Sequence, residues 1–209
     1  MLTILELILF FAVSFAFNLI PFAGPSNMII AGGFAFNSGN ADFTTVLIIG
    51  IIVALGATLA KGIHYGITFF ISGHINEKRR ATLESNAAKI KKRAFLLLYL
   101  AAATPIPDEP IVFTLGLMKY NITKFFTAFF LGKLSIAIMG AFAGGKMGNI
   151  ASEWLSPEMM TILSVTLTVA LTIIITVILL KFDLGRLTKY FTRKKPNSNV
   201  YGEKLGKIN

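Results

Sequence analysis

The chain has 209 residues, 55% of them hydrophobic and 14% charged, with a mean hydropathy of +0.71. Soluble domains carry roughly 25% charged residues, so this composition excludes an ordinary soluble domain and puts most of the chain in an apolar solvent. The net charge of +10 falls in short blocks beside apolar segments, the pattern of cytoplasmic membrane loops and not of a nucleic-acid surface, and the absence of cysteine excludes disulfides and thiolate metal sites.

The first apolar run is Leu2–Ile20. A secretory leader needs a basic start, and the first basic residue is Lys61, so the run reads as mature structure. It meets Pro21, Gly24 and Pro25, which break a helix, and Met28–Phe36 is apolar again. After the polar loop Asn37–Asp42 comes a long apolar helix, Phe43–Ile71, carrying Lys61 and His64. The basic stretch His74–Arg93 is expected on the cytoplasmic side.

The pattern then repeats. An apolar arm, Ala94–Ala103, meets Pro105, Pro107, Asp108, Glu109 and Pro110, and a second arm, Ile111–Met118, follows. Thr123–Gly145 reads as a full apolar helix and Asn149–Glu158 as an acidic external loop holding Trp154. The last helix, Met159–Leu180, leads into a basic tail with Lys181, Arg186, Lys189, Arg193, Lys194 and Lys195.

Parity constrains the topology. With the 74–93 loop and the tail inside and the acidic loop outside, segment 94–120 must begin and end on the cytoplasmic side. A Pro-rich acidic tip in its middle fits a re-entrant hairpin better than a span. The expected fold is therefore all-α and polytopic: two inverted repeats, each a re-entrant Pro-broken hairpin plus a transmembrane helix, followed by a C-terminal helix. Residues 1–181 form a single membrane domain, with repeat one at 1–72, repeat two at 94–148 and the last helix at 159–181; residues 182–209 form a basic cytoplasmic tail. A shift of 84 residues brings Pro21 onto Pro105, Gly32 onto Gly116 and Gly56 onto Gly140. Inverted repeats with broken helices mark secondary transporters.

The residues Glu6, Pro21, Pro25-Ser26, Ala31-Gly32-Gly33, Gly56, Gly62 and Tyr65-Gly66, followed by Pro105-Ile-Pro107, Gly116, Phe125-Phe126, Gly132, Gly140 and Gly144, resemble the DedA/VTT (SNARE-associated) family of membrane proteins over about residues 6–148. The resemblance implies transport of lipid carriers such as undecaprenyl phosphate, or phospholipid scrambling. Members usually carry arginines around the second hairpin's proline, where this chain has Asp108 and Glu109. The family's helix aspartate after the first hairpin falls near Lys61-Gly62.

Ionisable groups inside a bilayer are paired, protonated or facing water. Asp108 and Glu109 read as a proton or cation site, against the plainer reading of a hairpin tip in water. Lys61 and His64 share a helix face and offer a cationic partner for them or for a phosphate, against snorkelling of Lys61 and a plain hydrogen-bonded helix position for His64. Lys133 offers a second counter-charge, against snorkelling of its own. Glu6 is an interfacial carboxylate by position and a cavity residue by resemblance. Ser26, Asn18, Asn27 and Thr104 flank the prolines, where freed backbone groups need partners. The GxxxG spacings at Gly62/Gly66, Gly140/Gly144 and Gly144/Gly148 read as close helix contacts within the chain.

No phosphate loop, dinucleotide fingerprint or Ser-His-Asp arrangement occurs, so neither an enzyme nor a cofactor or metal is expected. The expected role is a transporter in the plasma membrane with a cytoplasmic C-terminus. It moves a lipid-linked or small substrate and is proton-coupled through Asp108 and Glu109. Its partners are membrane lipids, a lipid-phosphate or small-molecule substrate, and a second copy of the chain. The alternatives are an energy-independent phospholipid scramblase and a non-transporting accessory subunit of a membrane complex.

Overall fold

The computed structural model describes residues 2–21, 25–39, 41–74, 93–105 and 107–181. The basic loop before Arg93 and the basic tail after Lys181 lie outside the described residues. Those described fold as helices α1 (Ile4–Leu19), α2 (Asn27–Ser38), α3 (Phe43–Ile71), α4 (Arg93–Ala102), α5 (Glu109–Leu117), α6 (Ile122–Ala151) and α7 (Pro157–Lys181). Three are long and apolar enough to cross a membrane: α3, α6 and α7. At 1.5 Å per residue, the 29 residues of α3 reach about 43 Å, well beyond a hydrocarbon core of about 30 Å.

Local chemistry sets the ends. Thr3 and Glu6 open α1 as a capping box. Asp42 accepts from the Thr45 amide at 2.9 Å to start α3, and Asn121 accepts from the Lys124 amide at 3.0 Å to start α6. Gly39 ends α2 in the left-handed region at φ 58°, where glycine alone carries no Cβ penalty, and its N–H donates to the Phe36 carbonyl. Pro110 lies within the first turn of α5, where a missing N–H costs nothing. Two expectations are corrected here. The second arm begins at Glu109, not Ile111. The helix after it continues to Ala151 instead of stopping at Gly145, so the expected 149–158 loop shrinks to the turn at 152–156.

The reason α6 continues is that its glycines are a contact face. A Cβ on Gly140, Gly144 or Gly148 would run into the backbone of Met28, Gly32 or Phe36, so α2 lies directly along α6 in the same direction. Gly62 packs against Phe126, whereas Gly66 faces open space. Gly50 meets Ile138 and Gly62 meets Phe126, so α3 and α6 run antiparallel.

The arms are exchanged between the long helices. α1 packs on α3, where Gly56 admits the backbone of Phe11 and Phe15; α4 packs on α6, where Gly132 admits Tyr99 and Ala102. The second arms cross over, with α2 on α6 and α5 on α3, where Gly116 sits against Tyr65 and Thr68. Two apolar cores result. One gathers Phe10, Ile30, Ile49, Val53 and Ala141; the other gathers Tyr65, Leu98, Leu115, Phe125 and Phe129. Along α3 and α6, Lys61 and Lys133 fall between the residues that build the two cores.

Candidate functional site

Both lysines are buried, and both are paired. Lys61, Asp108, Glu109 and Lys133 are 3%, 3%, 5% and 6% exposed, which rules out snorkelling for either cation. Lys61 Nζ lies 2.5 Å from Glu109 Oε1 and 3.5 Å from Asp108 Oδ1; Lys133 Nζ lies 2.6 Å from Asp108 Oδ2. Two anions from the start of α5 thus face one cation from α3 and one from α6. With all four ionised the cluster carries no net charge. A buried charge that loses its partner costs several kcal/mol, so mutual neutralisation is what lets four ionisable groups sit at this depth.

The local sequence explains the aim. Asp108 occupies the N-cap of α5, yet its carboxylate caps no backbone amide; it points to the lysines instead. Pro110 has no N–H that would compete for it. Both carboxylates lie at the N-terminal end of α5. Lys133 also lies over the Phe129 ring, 5.2 Å from its centroid.

The other candidates lie elsewhere. His64 is one turn beyond Lys61 on α3, and its Nε2 lies 3.0 Å from the Leu19 carbonyl at the end of α1. Its ring is edge-on to Phe113 of α5, 5.8 Å between centroids. Glu6 is exposed, and its carboxylate accepts from the Thr3 amide at 2.7 Å and the Thr3 hydroxyl at 2.8 Å. It serves the start of α1 and is not brought to the ion pairs. Pro21, Gly24 and Pro25 stand between α1 and α2, and Pro105 and Pro107 between α4 and α5; the placement of Gly24 itself lies outside the described residues.

The first break is polar but uncharged. Asn18 Nδ2 donates to the Ser14 carbonyl at 2.8 Å and to Asn27 Oδ1 at 2.9 Å, while the Ser14 hydroxyl donates to the Val53 carbonyl at 2.7 Å. The two asparagines therefore tie α1 to α2 across the prolines. Thr104 donates to the Ala101 carbonyl at 3.0 Å, closing the end of α4. The Tyr65 hydroxyl donates to the Tyr120 carbonyl and fastens α3 to the turn after α5. The bonds of Ser14 and Tyr65 are not legible in the sequence, because a lone hydroxyl in an apolar run has no visible partner there.

These features define an integral membrane protein of polytopic α-helical type, with three helices of spanning length and a buried ion-pair cluster between two of them. A sequence profile described as the VTT domain matches residues 7–146. The chain belongs to that family, the DedA (SNARE-associated) membrane proteins. No curated protein and no solved structure matches.

Proposed function

We propose that this chain is a DedA-type transporter that moves a lipid-linked or small substrate across the plasma membrane by alternating access, coupled to protons at Asp108 and Glu109. It catalyses no covalent chemistry, and its C-terminus is cytoplasmic. The observation that carries the reading is the neutral ion-pair cluster buried between α3, α5 and α6. A proton on either carboxylate leaves an unmatched lysine in a site that tolerates none, so proton occupancy favours a different arrangement of α5. That is the differential interaction a coupled conformational change needs.

The exchanged arms support the topological part. Each hairpin lays its first arm on its own long helix and its second on the other's, and the two long helices are antiparallel. Two units related by inversion, each with a re-entrant hairpin, make such contacts, and rocking one unit against the other would open the cluster to alternate sides.

The test is flux in proteoliposomes with and without an imposed proton gradient. Collapse of transport on adding a protonophore supports the coupled transporter. Undiminished lipid movement without a gradient points to the energy-independent scramblase instead.

A further inference from the structure

Beside the charged cluster lies a second group of buried polar atoms that the proposed mechanism does not use. Asn27 is 1% exposed and His64 is 7% exposed. Among the described residues, Asn27 Nδ2, His64 Nδ1 and Ser26 Oγ have no hydrogen-bond partner. An unmatched buried polar atom costs roughly 1–3 kcal/mol, and three around one helix break is a concentration that packing alone does not explain.

Their donor and acceptor roles follow from their neighbours. His64 Nε2 faces a carbonyl, that of Leu19, so Nε2 carries the hydrogen, and in the uncharged ring Nδ1 is the acceptor. Asn18 donates to the Ser14 carbonyl and to Asn27 through the same nitrogen. That fixes the Asn27 amide with its oxygen toward Asn18 and its NH2 unpaired. Leu19 and Asn18 are consecutive, so the histidine and the Asn27 amide both bond to the last turn of α1. Ser26 is the N-cap of α2 and makes no side-chain cap bond. The break therefore offers one donor from Asn27, one acceptor from His64 and one hydroxyl from Ser26 that can do either. The lysine nearest along the chain, Lys61, is held by Glu109 at 2.5 Å, so a charged group here would find no counter-ion among these residues.

We propose that the start of α2 and the facing His64 of α3 form a binding site for an uncharged, hydroxylated group, a polyol or sugar-like head, held by Asn27 Nδ2, His64 Nδ1 and the Ser26 hydroxyl. A hydroxyl both donates and accepts, so one such group satisfies His64 and Asn27 together, which neither an anion nor a cation does. The site is separate from the ion-pair cluster. Under the proposed function it selects the head of the transported molecule, while the cluster drives the motion.

The chain has two histidines, so a full-length His74→Gln protein leaves His64 alone to be read by 15N-imidazole NMR in lipid bilayers, with the ring neutral. The expected result is the Nε2–H tautomer, with an Nδ1 resonance that shifts saturably as glycerol is added. Asn27→Asp keeps the oxygen that serves Asn18 and removes the donor; it should weaken the glycerol response about tenfold, the size of one lost hydrogen bond. Ser26→Ala, a milder change, should weaken it too. Bilayers of phosphatidylcholine with and without phosphatidylglycerol separate the sources: a shift with the latter marks a lipid-borne hydroxyl, and a shift with glycerol alone marks a free one. An Nδ1–H tautomer overturns the proposal. So does a glycerol response that is linear and equal in the Asn27 variant, which would mean water alone fills the site. A response to inorganic phosphate but not to glycerol overturns the hydroxyl assignment. The readout is binding, so it stands or falls independently of any proton-driven flux.

Discussion

Lys133 of α6 holds Asp108 at 2.6 Å, Nζ to Oδ2, at the point where α5 begins. The other oxygen of the same carboxylate makes no hydrogen bond among the described residues and lies 3.5 Å from Lys61 on α3. Asp108 is thus within ion-pair distance of both long helices, and Glu109 pairs with Lys61 on the α3 side. The cluster ties the start of a nine-residue helix to two long ones.

Removing one member should be far worse than removing a matched pair. Lys133→Met alone strands Asp108 and should destabilise the fold by about 3–5 kcal/mol, the usual cost of a buried charge left without its partner. Lys133→Met with Asp108→Leu leaves Lys61 and Glu109 matched and should recover most of that loss. Unfolding in mixed micelles, read by circular dichroism, gives the coupling energy; strictly additive losses would mean the two residues do not share a pair.

The glycine face of α6 gives a packing test. Gly140→Ala places a methyl against the Met28 backbone, which cannot turn aside as a side chain can. It should cost about 1–3 kcal/mol, typical of overpacking. Gly66→Ala on α3 meets nothing within 4 Å, so it should be neutral or stabilise by up to about 1 kcal/mol through helix propensity. Thermal stability of the two variants, measured side by side, checks the contrast.

Asn18 bridges α1 to α2 through its single NH2 group. Asn18→Ala leaves the Asn27 oxygen buried without a donor, and the loss should be about 1–3 kcal/mol. Hydrogen exchange in the α2 backbone should rise in this variant if the asparagine bond fastens the first break. Unchanged exchange would assign the fastening to other contacts.

Glu6 illustrates how a plausible transport carboxylate can have a local role. Its oxygen accepts from the Thr3 amide and hydroxyl, and glutamine serves a capping box as well as glutamate. Glu6→Gln should therefore leave both stability and flux near wild type, while Thr3→Ala should cost roughly 0.5–2 kcal/mol. Loss of flux in Glu6→Gln with normal folding would restore a transport role.

Much of the helical order is legible from hydropathy, because lipid forces every long apolar run to satisfy its backbone internally. Phe43–Ile71 is read to the residue, since Asp42 supplies a cap just before an unbroken apolar run. The errors come from residues with two meanings. Pro110 reads as a breaker but stands in the first turn of α5. Gly145 reads as a helix end but lies within α6, while Gly144 and Gly148, read as close helix contacts, admit the backbone of α2. The ionisable residues are visible as candidates because charge is rare in such runs. Their pairing is not visible: Lys61 and Glu109 are 48 positions apart, and only the packing of α5 on α3 brings them together. Glu6, Asn18 and His64 show the converse, since sequence lists them but cannot say which neighbour each will bind.

The most direct test is flux through a protein carrying Asp108→Asn and Glu109→Gln together, reconstituted in proteoliposomes under a proton gradient and compared with wild type at equal folded content. The double variant is destabilised because Lys61 and Lys133 lose their partners, and the folded fraction should show no gradient-driven flux, since no carboxylate remains to take the proton. Flux equal to wild type would contradict it and remove the ion-pair cluster from the mechanism.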